Sequence, residues 1–426
     1  MKISYQHEVT TSFVLWFDNF LLSKGEAFKN LTSSFYYQND SRFPDNKIYA
    51  SPHKQWVTDS SIPGANIANG IYNDGVFIPR GSNGLKLDFE NGRAILNSGF
   101  SSSANITGSF ALKDFNIYVT DQNEEDLIIE SNLKINSRFF RENAGIPPYD
   151  HVVPAIFISN EGSKNDPFAF GGEDKTTTYF KAAVIAENLY MLDGVLSIFN
   201  DSSRTIFSKI PFKDHPITEF GDLKPRSRRA VFKIRENVSL LGHNDWGQSG
   251  GPNGQKGGTM TVDINSSSPY FGNYNNFTLN WLAGGGSFSF STSGNNLILN
   301  IPMVTGVGVD NLRNYPAVGT VRDWLNTQTG ISAVFSSGVV PSKSGLQAYE
   351  PIGNYFHPEQ PITQPIQDAE FYYNYKELAE ETKQDYFLIE SVSCSRMSDN
   401  LRKVVLDNLF VGFIDFEVAQ TRFPRL

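Results

Sequence analysis

At 426 residues the chain exceeds the roughly 250 to 300 residues at which single cores stop growing, so two or three domains are expected and burying a core is no obstacle. Lys and Arg number 36 against 45 Asp and Glu, and the net charge of -9 disfavours a protein that wraps nucleic acid through a general positive field, leaving room for a local basic patch. Charged residues make up 19% of the chain and aromatic residues 13%, with 34 Phe and 18 Tyr, a composition that favours strands with covered surfaces.

In chain order, the first feature is an apolar run from Phe13 to Leu22, broken by Asp18 and Asn19. It lacks the uninterrupted apolar region of a signal peptide, and no run approaches the ~20 apolar residues of a membrane span. A soluble chain with no membrane partner is expected. Residues 1–150 read as short strands separated by Gly, Asn, Asp, Ser and Pro clusters, an N-terminal β-rich domain. Its clearest element is a hairpin over residues 84–96: Leu85, Leu87 and Phe89 alternate with Lys86 and Asp88, Asn91-Gly92 offers a type I′ turn, and Ile95 resumes the apolar face. The run Ile106, Phe110, Leu112, Phe115, Ile117 and Val119 predicts one or two further strands.

Residues 151–240 read as strand, loop, strand, helix. VVPAIFIS and TTTYFKAAVIAE are the strands, and Leu189, Leu192, Leu196, Phe199 and Ile206 fall near a 3.6 period behind Asn188 as N-cap. From about Ser249 the chain turns Gly-, Asn- and Ser-rich, with strands expected at Phe277-TLNWL, Ser287-FSFS and Leu297-ILNIPMV, then a short helix carrying Val321, Trp324 and Leu325. Gly-rich and Pro-rich flanks mark residues 246–345 as an inserted β-rich domain. Strand patterns return at Tyr386-FLIESVSCSRM and along Lys403 to Phe423, so residues 151–245 and 346–426 are expected to form one discontinuous domain around a mixed sheet. The fold class is α+β, predominantly β, with a helix flanking that sheet.

The segment PAIFISNEGSKNDPFAFGGEDK looks at first like a site, because Glu161, Asp166, Glu173 and Asp174 crowd between apolar runs. Its spacing matches neither the D-x-[DN]-x-[DN]-G frame of a calcium loop nor a P-loop, so the favoured reading is a connection that meets another subunit. His243-Asn244-Asp245 has the ingredients of a base and its carboxylate, but the chain has no Gly-x-Ser-x-Gly nucleophile elbow, and the six His show no zinc-ligand pairing. Cys394 sits in an apolar strand context, reads as a small core residue, and being the one cysteine excludes an internal disulfide. No catalytic residue, metal or cofactor is expected. Lys224, Arg226, Arg228, Arg229, Lys233 and Arg235 concentrate positive charge within twelve residues, either as a patch for DNA phosphates or an acidic neighbour, or as a solvated strand face.

The hairpin GLKLDFENGRAILNSGFSSSANITGSFALKDFNIY resembles one found in structural proteins of tailed bacteriophages, and PPYDHVVPAIFISNEG with AFGGEDKTTTYFKAAVIAENLYMLDGVLSIF resembles their tail-terminator and neck proteins. The resemblance covers about residues 80–215 and the final strands, and the inserted domain departs from the shorter terminator pattern. It implies a virion protein made in the host cytoplasm, without catalysis, forming a homo-oligomeric ring that joins tail to head. Its expected partners are other tail or neck proteins and viral DNA in the channel. Two other classes stay open: a baseplate or tail-tip protein that binds receptor or glycan through the aromatic, Asn-rich middle domain, and a β-rich glycan-degrading enzyme, whose two carboxylates leave no local motif.

Overall fold

A computed structural model describes residues 5–121, 133–135, 151–167, 174–211, 214–219, 221–235, 258–282, 286–302, 318–337, 339, 355–356, 361–381, 385–397 and 409–422. The chain divides into two compact units, Met1–Lys224 with Tyr372–Leu426, and Pro225–Phe371. The protein is predominantly β, with several antiparallel and mixed sheets and few helices among the described residues.

The first unit opens on a helix, α1 (Tyr5–Gly25), where the sequence reading expects only short strands. The reason is that its apolar residues form a nearly continuous run, so the helical period is masked. Val9, Phe13, Trp16, Phe17 and Leu21 are buried, most of them at spacings of three and four. The polar residues that interrupt the run have partners: Lys113 Nζ lies 2.6 Å from Asp18 Oδ1, and Asn19 Nδ2 donates to Asp59 Oδ2 at 2.7 Å.

One sheet of this unit is built from β1 (Phe28–Gln38), β2 (Asn46–Ala50), β3 (Gly70–Asn73), β4 (Val76–Pro79), β5 (Lys86–Asp88), β6 (Arg93–Asn97) and β7 (Ile106–Lys113). Across the sheet they lie in the order β4-β3-β7-β1-β2-β6-β5. The expected hairpin is β5 and β6, with Asp88 opposite Arg93, but its connection is Phe89 to Gly92 rather than the two-residue Asn91-Gly92 turn. Partners of the loop carbonyls explain the length: Trp56 N–H donates to Phe89 O, Gln55 N–H to Glu90 O and Ser51 N–H to Gly92 O. Asp88 also accepts from Asn91 N–H and from Arg93, whose buried guanidinium reaches Asp40 at 3.0 Å as well.

The other large sheet is mixed. It joins β8 (Asn116–Val119), β11 (Ala155–Pro167), β12 (Asp174–Ala186) and β13 (Ile206–Ser208) to β23 (Tyr386–Arg396) and β24 (Phe410–Arg422), in the order β13-β23-β24-β12-β11-β8. β8 runs parallel to β11 and the other neighbours are antiparallel. A short parallel pair, β9 (Leu133–Ile135) and β10 (His151–Val153), stands apart from it. Residues Ala182 to Ala186 at the end of β12 are all buried, as expected of a strand covered on both faces. On one face Phe180 stacks on Phe13 of α1 at 4.1 Å, and Phe416 meets the same ring edge-on. The flanking helix α2 (Leu189–Asn200) is capped as expected, with Asn188 Oδ1 accepting from Met191 N–H at 2.9 Å, and its Phe199 stacks on Phe17 at 4.0 Å.

The second unit is two sheets over one core. Its strands are β14 (Ser227–Arg235), β15 (Gly258–Asn265), β16 (Asn276–Leu282), β17 (Ser289–Ser293), β18 (Asn296–Pro302), β19 (Ile331–Phe335), β20 (Tyr355–Phe356), β21 (Ile362–Pro365) and β22 (Gln367–Ala369). The first sheet has the order β19-β15-β14-β20 with β22 beside β14, and the second the order β17-β18-β16-β21. Phe232 and Val262 of one sheet share the core with Leu279 and Leu299 of the other and with Val321 of α3 (Val318–Leu325). A last helix, α4 (Tyr375–Glu381), belongs to the first unit.

The insertion is thus wider than residues 246–345. β14 pairs with β15 along eight positions, burying Ala230, Phe232 and Ile234, and β21 and β22 pair with β16 and β14, so Pro225 to Phe371 fold together. Residues 1–150 likewise do not stand alone, because β8 extends the mixed sheet and α1 packs on it.

Phe13→Ala removes a ring in contact with five other aromatic side chains of the first unit and should cost about 3–5 kcal/mol in denaturant unfolding. Burial, aided by Lys29, lowers the pKa of His53 to about 4. Since the unfolded value is ~6.5, the unfolded chain takes up the proton first as pH falls; this contribution is complete above ~6.5 and lost progressively toward ~4, up to about 3 kcal/mol. In denaturant titrations across that window, His53→Phe should flatten the slope.

Candidate functional site

The segment that looked like a charged loop is mostly strand. β11 continues to Pro167 and pairs with β12 as far as Pro167 opposite Asp174. A bulge falls between Asn160 and Gly162, where Gly162 adopts φ +110 and its N–H donates to Asn160 Oδ1 at 2.9 Å. Glu161 is the extra residue, exposed, and accepts from Ser159 Oγ. Asp166 is exposed and paired with Lys164 at 3.0 Å, while Asp174 begins β12 opposite Arg422 on its other side. Glu173 lies outside the described residues. Glu161, Asp166 and Asp174 are therefore spread along paired strands, and no group of three or more His, Cys, Asp or Glu among the described residues could hold a metal ion.

The basic run crosses from one unit to the other. Lys224 belongs to the first, where its N–H donates to Pro216 O at 2.8 Å. Arg226 immediately precedes β14 of the second unit, and its N–H donates to Glu370 O at 2.9 Å. Strand alternation then splits the remainder. Arg228 is on the side of Ala230 and Phe232 and reaches Asp368 at 2.9 Å and Tyr274 O at 2.7 Å. Arg229, Val231 and Lys233 are on the other side. Arg229 forms a two-pronged bond with Asp263, directly opposite on β15, at 2.6 and 3.0 Å, and that carboxylate raises its pKa further. Lys233 is exposed, and Arg235 ends the strand with its side chain outside the described residues. Arg228 and Arg229, at the centre of the run, are thus engaged by carboxylates.

The first unit also holds a cleft of about 460 Å³, lined among others by Asp18, Glu90, Lys113, Tyr118, His215 and Tyr373. Confinement, and then the nearby Asp88, raises the pKa of Glu90; burial lowers that of His215 and pushes that of Tyr118 up to about 12. Perturbed groups of this kind suit proton transfer. Several are nonetheless tied to the fold: Lys113 pairs with Asp18, Tyr118 Oη accepts from Val152 N–H at 3.1 Å, and His215 Nδ1 lies 3.0 Å from Ile217 O. The cleft escapes sequence reading because its walls come from six separate chain segments.

Cys394 is half-buried in β23; its Sγ donates to Leu196 O at 3.4 Å, and burial, then Asp415, raises its pKa, so it is a poor thiolate. His243, Asn244 and Asp245 lie outside the described residues.

No protein-family model matches the chain, no curated protein matches it, and no solved structure matches it.

Exposed charges on β11 do little for the isolated fold. The variants Glu161→Ala and Asp166→Ala should leave the thermal unfolding midpoint unchanged in calorimetry.

Proposed function

We propose that the chain is a structural protein of a tailed-phage particle, forming a ring at the neck or tail-terminator layer that joins tail to head. The observation that carries this reading is the mixed sheet, which among the described residues is open along parts of both edges. β8 covers β11 only from Ala155 to Ile158, leaving the outer side of Gly162 to Pro167 without a described strand partner. β13 covers β23 only from Tyr386 to Leu388, leaving Ser391 to Arg396 on the opposite edge.

Strand edges present rows of N–H and C=O groups that another chain can pair with. The two edges differ in sequence, so copies joined edge to edge make a head-to-tail contact, which closes into a ring when the rotation between them permits. The resemblance of the 84–96 hairpin and of the β11, β12 and α2 segment to phage neck and terminator proteins supports the position in the particle. Assembly in the host cytoplasm and residence in the virion go with it, as do contacts to other tail or neck proteins. DNA in the channel remains an expected neighbour, although the engagement of Arg228 and Arg229 by carboxylates favours protein over phosphate as the partner of that strand. No catalytic step is part of this reading.

Sedimentation of the purified protein over a range of concentrations, alone and with tail-tube protein, provides the test. The wild type should form a closed oligomer, and Asn165→Lys or Ser393→Lys should abolish it while the circular dichroism spectrum and melting temperature stay unchanged. A wild-type protein that remains monomeric under both conditions would overturn the proposal.

A further inference from the structure

The tip of the β3 and β4 hairpin and the connection from β6 to β7 enclose an open pocket of about 580 Å³ in the first unit, lined by Asn73, Asp74, Asn97, Phe100, Ser101 and Ser103, with Gly99 and Ala104. Both of its walls are held in place by the backbone. Asp74 and Gly75 have φ +48 and +82, the left-handed pair of a two-residue hairpin turn between Asn73 and Val76, and Asp74 N–H donates to Asn105 O at 3.0 Å. The opposite wall is closed by Phe100 N–H to Asn97 O at 3.2 Å and Ala104 N–H to Ser101 O at 3.0 Å, and Tyr49 Oη donates to Ser101 O.

The lining carries one carboxylate, two side-chain amides, two hydroxyls and one aromatic ring, and no cationic side chain. Asn73 Oδ1 is enclosed and without a hydrogen-bond partner among the described residues. We propose that this pocket binds a neutral sugar residue of a glycan. A carboxylate and amides accept and donate to adjacent hydroxyls, while the Phe100 ring offers an apolar surface to the C–H face of a pyranose. Asp74 and the lack of a lining cation disfavour an anion, and the polar walls disfavour an apolar ligand. A single carboxylate falls short of the usual calcium ligand set.

The aromatic, Asn-rich middle segment, where sugar stacking is expected from sequence, is less suited. Phe277, Phe288, Phe290 and Trp324 pack on that unit's core. The amides on the outer side of its second sheet are already engaged, Asn280 Nδ2 donating to Asn300 Oδ1 and Asn300 Nδ2 to Ser291 Oγ, both at 2.9 Å.

The test uses the full chain with two probes, maltotriose and chitotriose, by titration calorimetry and saturation-transfer NMR. At least one should bind saturably, at millimolar affinity or tighter. Asp74→Asn and Asn97→Ala should each weaken it about tenfold, whereas Asn280→Ala should not change it; a matching polysaccharide should compete if the source is polymeric, and should not if only free sugar fits. Absence of binding by both probes at about 10 mM, binding indifferent to Asp74→Asn, or binding of calcium alone would overturn the proposal. Sugar binding and oligomer formation are read by separate measurements, so failure of one is distinguishable from failure of the other.

Discussion

The first unit depends on β12, which is paired with β11 on one side and along its whole length with β24 on the other. This pairing ties residues 174–186 to residues 410–422 and forces the intervening chain to leave the sheet and return to it. Closing so long a loop costs entropy, although the cost rises only slowly with length. It is offset where the strand is covered on both faces, with Phe180 against Phe13 and Ala183 and Ile185 in a second cluster with Phe157 and Val411. Helix α1 then acts as the cover for one face, its Phe13, Trp16 and Phe17 forming a continuous aromatic contact with Phe199, Phe207 and Phe416.

Much of this is legible in the sequence, for identifiable reasons. Ala155 to Ile158 and Ala182 to Ala186 are apolar and partly β-branched, as doubly covered strands are, and Asn188 marks the helix start because its side chain caps the first turn. The alternation at Phe277, Leu279 and Trp281 points one side of β16 into its core. Helix α1 is not legible, because the nearly unbroken apolar run from Phe13 to Leu22 shows no period, and the role of Asp18 and Asn19 depends on Lys113 and Asp59 far along the chain. The edges of the insertion are obscured for a similar reason: the charged Arg228 and Arg229 resemble a surface patch until Asp368 and Asp263 are seen beside them.

The charged segment after Ile158 shows how sequence can suggest a site where geometry makes a surface. Alternation along an extended strand turns neighbouring residues to opposite sides, and the bulge at Glu161 shifts that alternation by one. Among the described residues the acidic groups therefore form no cluster. By contrast, the sugar-sized pocket beside Asp74 depends on two turns that are far apart in the chain, and only the Asp74-Gly75 pair announces itself in sequence.

The proposed assembly rests on the two strand edges that have no partner along part of their length among the described residues. The most direct measurement of the assembly claim is amide hydrogen exchange on the protein before and after it forms its oligomer. Exchange should slow at Gly162 to Asp166 and at Ser391 to Arg396 on assembly, with β12 already protected in the monomer. An oligomer in which neither edge gains protection would contradict edge pairing as the means by which the copies join.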